Sequence, residues 1–312
     1  MSIIIKRYLP YILTLIVVTL VAAYFGTKAD EYRSLLNISV NNIVYLALLA
    51  LVFLIINGIS STMLYRAMGA SIGYTEGTGL SFVGSLANLL PLAGGIMSRA
   101  FYLRKKHGLD YTRFLSATLV LYICFVIANG FIGLLVLLYI DWQTSLQINK
   151  FLYIFFAAMI LPIMIFFLPI KYTLVLLPKR WHTRFNQFVS GWEIIRRQPN
   201  LFINQITLQI IGMFIFAVRY KIAFQSVSQT LPLSHAILFA SATVLTQLVS
   251  IAPGGVGVRE VIVATLASMG GYSAEISIVA VGIDRLISTT IIIILGTLFT
   301  YILSGRLSIL DF

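Results

Sequence analysis

The sequence predicts an all-α, polytopic helical membrane protein: six full spans plus two re-entrant helical hairpins, eight membrane segments arranged as an inverted repeat. Three observations lead there. The 312 residues are 59% hydrophobic and only 10% charged, with a mean hydropathy of +0.97. A soluble domain carries about 25% charged and about 45–50% apolar residues. Long apolar runs recur along the chain. Finally, a Pro-Gly break inside an apolar stretch occurs twice with matching surroundings.

The runs are Tyr8–Phe25, Ile43–Tyr65, Phe114–Ile140, Phe151–Ile170, Phe202–Phe224 and Ile276–Leu303. Each is long enough to cross a hydrocarbon core of about 30 Å as a helix, which takes about 20 residues. Lipid offers no hydrogen bonds to an exposed backbone, so helices are the economical solution. The first run follows Lys6 and Arg7, but it is longer than a signal h-region and no A-x-A cleavage site follows. The expectation is an uncleaved anchor and a single integral membrane domain over 1–312.

The formal net charge is +12. The basic residues gather in a few short segments, which speaks for lipid head groups and the positive-inside rule rather than nucleic acid. With six crossings, Lys6, Arg7, the basic residues of 66–113 and 171–197, and Arg306 share one side. Lys28, Arg33, Lys150 and Lys221 lie on the other. Both termini are therefore expected in the cytoplasm, in a multi-pass plasma (inner) membrane protein. In 181–197 the residues Phe185, Phe188, Val189, Trp192 and Ile195 recur at helical spacing among basic residues. That pattern fits an amphipathic interfacial helix or, equally, a packed connector. The single cysteine, Cys124, lies within an apolar run and reads as a small hydrophobe. His107, His182 and His235 show no metal-ligand spacing, so neither a metal nor a cofactor is expected.

The repeat lies in "LPLAGGIMSRA" (90–100) and "IAPGGVGVREV" (251–261). The same separation relates Gly94–Gly95 to Gly254–Gly255 and Arg99 to Arg259; Tyr111 and Tyr272 follow one residue further apart. Pro91 and Pro253 precede the glycines, and an amide, Asn88 or Gln247, lies further ahead. Each stretch reads as two short helices joined at the break. Residues 237–251 would rise about 22 Å as a helix, short of a crossing, which favours a re-entrant hairpin. Three spans between the hairpins make their orientations opposite. The units are 43–140 and 200–304. Broken helices at matching positions of inverted halves are the usual sequence pointer to a transporter's binding site.

The second half-helix is expected to start near Val256, its N-terminus offering backbone N–H groups and the positive dipole end. Glycine permits close approach at Gly254, Gly255 and Gly257, as at Gly94 and Gly95. In "AVGIDRLIST" (280–289), Asp284 and Arg285 sit in an apolar helix. Charges at that depth cost about 3 kcal/mol each on insertion scales and persist only when paired or hydrated. Adjacent residues on a helix face apart, so the expected pairs are Arg259 with Asp284 or Glu260 with Arg285. The candidate binding set is Gly94, Gly95, Arg99, Pro253, Gly254, Gly255, Gly257, Arg259, Glu260, Asp284 and Arg285. Its charged members carry one excess positive charge, which favours an anion such as phosphate. Purely structural roles stand beside this: ion pairs that fix packing, and glycines that let helices approach. Arg219, beside Lys221 near a span end, is expected to snorkel to the interface. Asn57 and Asn129 read as interhelical hydrogen bonders or as cavity wall.

The "APGGVGVREV" motif (252–261) followed by an Asp-Arg final span resembles the transmembrane flippase region of lysylphosphatidylglycerol synthases and their standalone flippase-like relatives. Pro253, Gly254, Gly255, Gly257 and Glu260 match that signature. The resemblance implies translocation of a membrane lipid across the bilayer, without enzymatic activity. In the fused relatives the cargo is an aminoacylated phosphatidylglycerol. No aminoacyl-transferase region follows the spans up to Phe312, so this chain is expected not to make that lipid, and another phospholipid or a polyprenyl-phosphate lipid is equally compatible. A small-solute or ion transporter of the same architecture, and an intramembrane transferase using Glu260 or Asp284 as base, are the alternatives. Either carboxylate is also a candidate proton carrier.

Overall fold

Each long apolar run becomes a helix because every backbone polar group must be satisfied within its own segment. A computed structural model describes residues 38–89, 94–143, 150–164, 193–194, 196–243, 246 and 257–305. Among these, nine helices stand out in chain order: α1 (Val40–Ala67), α2 (Tyr74–Ala87), α3 (Gly94–His107), α4 (Tyr111–Gln143), α5 (Lys150–Ile160), α6 (Pro199–Gln225), α7 (Leu233–Ala242), α8 (Val258–Met269) and α9 (Ala274–Ser304). Helices α1, α4, α6 and α9 are long and apolar enough to cross a membrane. The first apolar run and most of the 181–197 stretch lie outside the described residues. The Phe151–Ile170 run is described only through an 11-residue helix and a turn at Leu161–Pro162.

Local chemistry sets the helix starts. Ser39 and Ser273 cap α1 and α9, accepting from the backbone N–H of Asn42 (3.2 Å) and Ile276 (3.4 Å). Pro199 opens α6, where a missing N–H costs nothing. Gly257 precedes α8 at φ 87°, a backbone setting that L side chains disfavour. The half-helix therefore begins at Val258, two residues later than the sequence suggests.

Helix lengths repeat as long, short, short, long: 28, 14, 14 and 33 residues in α1–α4, then 27, 10, 12 and 31 in α6–α9. The packing repeats too. Helix α1 lies on α2 as α6 lies on α7; α2 packs on α9 as α7 packs on α4; and α1 pairs with α6. Each unit thus lends its first short helix to the last long helix of the other. A repeat of either handedness produces this exchange.

Small residues make the close crossings. On α1, a Cβ at Gly58 would lie 2.7 Å from the Thr78 backbone of α2. On α9, one at Gly296 would lie 2.6 Å from Leu86 of α2. Gly79 of α2 meets the Phe299 ring of α9. The exterior is greasy: Leu286 is 70% exposed on α9, two residues from Asp284 at 1%. Exposed leucine beside buried aspartate is the reverse of a soluble helix, and it fits lipid as the outer solvent. Gly58→Leu is expected to force α1 and α2 apart at a cost of about 1–3 kcal/mol, read as a lower unfolding temperature in detergent; an unchanged temperature would contradict the packing.

Candidate functional site

The bundle's buried charges meet where α6, α8 and α9 converge. Arg219 of α6 donates from Nε to Asp284 Oδ1 (2.8 Å) and from Nη2 to Oδ2 (2.9 Å). This is a bidentate guanidinium–carboxylate pair, the strongest geometry available to two side chains. Arg219 is 2% exposed, so it does not snorkel; the expectation from its place near a span end is wrong. Asp284 reaches inward and supplies an internal partner that a linear sequence does not reveal. Arg259 of α8 comes only to 4.0 Å of Asp284 Oδ2. Of the two pairings expected from the sequence, Arg259–Asp284 is thus a loose contact. The other is made: Arg285 Nη1 donates to Glu260 Oε1 at 2.7 Å. Glu260 Oε2 also accepts from the Gly257 N–H at 2.9 Å, tying the start of α8 to α9.

Phe216 links the cations. Its ring centre lies 5.1 Å from the Arg219 guanidinium and 5.0 Å from that of Arg259, while Phe53 of α1 lies 5.8 Å from Arg219. Beside them a cleft encloses about 350 Å³ of atom-free space, part of it open outward. Phe53, Phe125, Asn129, Gln209, Gly212, Met213, Phe216, Ala240, Thr243 and Arg259 line it. Asn129, Gln209 and Thr243 are buried polar groups. Asn129 therefore fills the cavity-wall role, while Asn57 donates to its own helix at Phe53 O (3.0 Å). The enclosed part is narrow, with room for about one or two waters.

The first break is built differently. Gly95 packs on the Gly84 carbonyl and its N–H donates to Asn88 Oδ1 at 3.0 Å. Gly94 packs on the Ala87 carbonyl. Arg99 lies along Gly84 and donates from Nε to its own helix at Gly95 O (2.8 Å). Among the described residues, Arg99 meets none of the other charged candidates and does not line the cleft. Its place in the charge set is taken by Arg219. Pro253, Gly254, Gly255 and Gln247 lie outside the described residues. Gly257 is described, and a Cβ there would meet no heavy atom within 4 Å among the described residues.

Sequence reasoning also passed over the contact between the start of α2 and the end of α3. Glu76, in the first turn of α2, accepts on Oε1 from Tyr102 Oη (2.6 Å) and Lys106 Nζ (2.6 Å), with His107 Nε2 at 3.0 Å, all from α3. The i, i+4 and i+5 spacing of Tyr102, Lys106 and His107 was the available signal; their common partner lies far back in the chain. Burial alone would raise the Glu76 carboxyl. The hydrogen bonds from Lys106, Tyr102 and His107 and the Lys106 charge outweigh it and hold the group at about 2, against an ordinary 4.5. Beyond the end of α8 the surroundings are aromatic instead, with Tyr272 edge-on to Phe224, His235 and Phe239.

Fold and site define a multi-pass helical membrane protein with a small, largely apolar cleft into which Arg259 and the buried polar side chains of Asn129, Gln209 and Thr243 project. The family model for the lysylphosphatidylglycerol synthase TM region matches residues 2–296. The chain belongs to that family, as the motif resemblance implies. No curated protein and no solved structure matches it.

Two outcomes follow from this geometry. Removing one member of the Arg219–Asp284 pair strands a buried charge, at about 3–5 kcal/mol; a double apolar replacement restores much of that. Thermal unfolding of Arg219→Met, Asp284→Leu and the double variant is expected to show both singles below the double, and additive losses would contradict it. For Glu76, a depressed folded-state pKa means stabilisation that is full above about 4.5 and fades as pH falls toward 2. The unfolding-temperature gap between wild type and Glu76→Gln is therefore expected to be constant above about pH 5 and to close below it; a gap that widens in acid would reverse the sign.

Proposed function

We propose that this protein is a lipid translocase, moving a phosphate-containing lipid between leaflets rather than transforming it. The observation that carries the reading is Arg259: a cation in the first turn of α8 that lines a partly open cleft together with Asn129, Gln209 and Thr243, its described carboxylate neighbour already held by Arg219. Membership of a family named for the transmembrane region of a phospholipid synthase supports a lipid cargo. The head group would occupy the cleft while the acyl tails remain in the bilayer.

The two four-helix units, taken as inverted, would rock against one another to expose the cleft alternately. Both termini would then lie in the cytoplasm, with eight membrane segments in all. The narrow cleft corresponds to a closed conformation, and opening it for a head group requires α7 and α8 to part from α4 and α6. Asp284 and Glu260 each accept hydrogen bonds on both oxygens.

The width of the cleft favours one second reading, transport of a small anion. Proteoliposomes holding a fluorescent phospholipid distinguish the two. Scrambling is expected with wild type and to fall at least about tenfold with Arg259→Ala, an interaction worth about 1.4 kcal/mol or more. Equal rates for the two proteins would sink the site, and phosphate flux without lipid movement would favour the small anion.

A further inference from the structure

The two four-helix units touch in a pattern that bears on where they can turn. Across their boundary α1 meets α6, α2 meets α9 and α4 meets α7, while α1 also meets α9 and α4 also meets α6. Exchanging the units turns the α2–α9 contact into α4–α7, and α1–α9 into α4–α6. Of these contacts α1–α6 alone maps onto itself.

Along that contact the helices run antiparallel. Asn42, near the start of α1, donates to Ser226 Oγ, just past the end of α6, at 3.2 Å. Midway, the Phe53 and Phe216 rings stack at 5.6 Å. Late in α1, Ser60 meets Gln205 and Gln209 in the early part of α6. Equivalent helices that run in opposite directions are related by a two-fold axis at right angles to both. The spacing that carries Gly94 to Gly254 carries Phe53 to Met213, and a Cβ on the neighbouring Gly212 would sit 3.5 Å from the Phe53 ring. That is where the axis passes. If the units trade shapes between two extremes, the self-matched contact is the same in both, while α2–α9 and α4–α7 change places.

The bonding is divided in the same way. The ion pairs lie within units: Arg219–Asp284 and Glu260–Arg285 in α6–α9, Glu76 with Lys106 and His107 in α1–α4. Hydrogen bonds between the units sit on α1 and α6. Ser60 Oγ donates to Gln205 Oε1 (2.6 Å), Gln205 Nε2 donates to Ser60 O (3.0 Å) and Gln209 Nε2 donates to Ser60 Oγ (3.0 Å). Ser60 and Gln205 are fully buried, so parting them strands polar groups away from water. Helix α2 meets α9 through Gly79, Phe82 and Leu86 against Phe299 and Gly296. Such apolar surfaces part cheaply in a bilayer, because acyl chains replace the lost contacts. The cleft lies beside the other member of the matched pair, lined by Phe125 and Asn129 of α4 and Ala240 of α7.

We infer that the α1–α6 contact, fastened at Ser60, is the hinge of the molecule, and that α2–α9 and α4–α7 are gates that open in turn. In this structure the α2–α9 gate is shut. The inference deepens the translocase reading and rests on it for the need to open.

The test uses the full chain in lipid nanodiscs, with Cys124, its single cysteine, replaced by alanine. Spin labels are carried on p-acetylphenylalanine at two exposed sites in different units, Met97 of α3 and Tyr301 of α9, and pulsed electron paramagnetic resonance reads the distance between them. Asn42→Cys with Ser226→Cys, joined by a short reducible bridge, locks the hinge. Leu86→Cys with Gly296→Cys, oxidised to a disulfide, locks a gate; Phe82→Cys with Phe299→Cys, at rings 5.2 Å apart, is the second gate pair. Two label distances are expected before locking. Either gate lock should remove one, the hinge lock should keep both, and reduction should restore both, which separates locking from misfolding. A single distance before locking, gate locks that keep both, or a hinge lock that removes one would overturn the inference. Lipid scrambling by the same unlocked protein separates the hinge from the function beneath it. Two distances without lipid movement would overturn translocation and leave the hinge standing. Lipid movement with one distance would do the opposite.

Discussion

The bidentate contact between Arg219 and Asp284 is the constraint around which the molecule is arranged. Two full charges sit inside a bundle whose outer solvent is hydrocarbon, where each must find its counter-charge within the protein. The contact joins α6 to α9 across more than sixty positions of sequence. It also leans on the other half of the molecule, since the Arg219 guanidinium lies near Phe53 of α1. With Asp284 hydrogen-bonded to Arg219 on both oxygens, Arg259 reaches that carboxylate only at 4.0 Å among the described residues, and it is the charged side chain that lines the cleft there.

The two breaks share a sequence pattern and differ in use. At the first, glycine removes side-chain bulk so that two short helices can touch, and Asn88 fills the backbone donor that the break exposes. At the second, only Gly257 is described; its positive φ leads into α8, and Glu260 accepts from its N–H. The surroundings of Glu76 and Tyr272 differ as well. One is an ionic cluster around Glu76, the other a set of edge-on rings around Tyr272.

The exchange of short helices explains why the charged site can tolerate its cost. Helix α2 lies on α9 and α7 on α4, so neither unit has a complete set of neighbours alone. Close crossings at Gly58, Gly79 and Gly296 hold this exchange by contact area rather than by a hydrophobic force, which lipid does not supply. A second polar fastening joins the units directly: Ser60 of α1 donates to Gln205 Oε1 at 2.6 Å, and Gln209 donates to Ser60 Oγ at 3.0 Å. Gln209 therefore belongs both to the interface and to the cleft wall, so motion of one unit against the other would pass through the cleft.

By itself the sequence determined the solvent, the class and the family. Composition and run length require a bilayer, and the Pro-Gly breaks and the Asp-Arg span mark the region around α8 and α9 where charges collect. It also offered two cross-helix pairings, Arg259 with Asp284 or Glu260 with Arg285, because adjacent helical residues cannot face each other; the second is the close one. Tertiary structure alone decided the rest. Arg219 near a span end reads as an interfacial cation until folding brings Asp284 to it, and Arg99 reads as the twin of Arg259 until it is seen lying along its own helix. Glu76 and its three partners were likewise out of reach. The reason is common to all three: a side chain's partner depends on which helix faces become neighbours, and that is fixed by packing between segments distant in the chain, which local pattern does not encode.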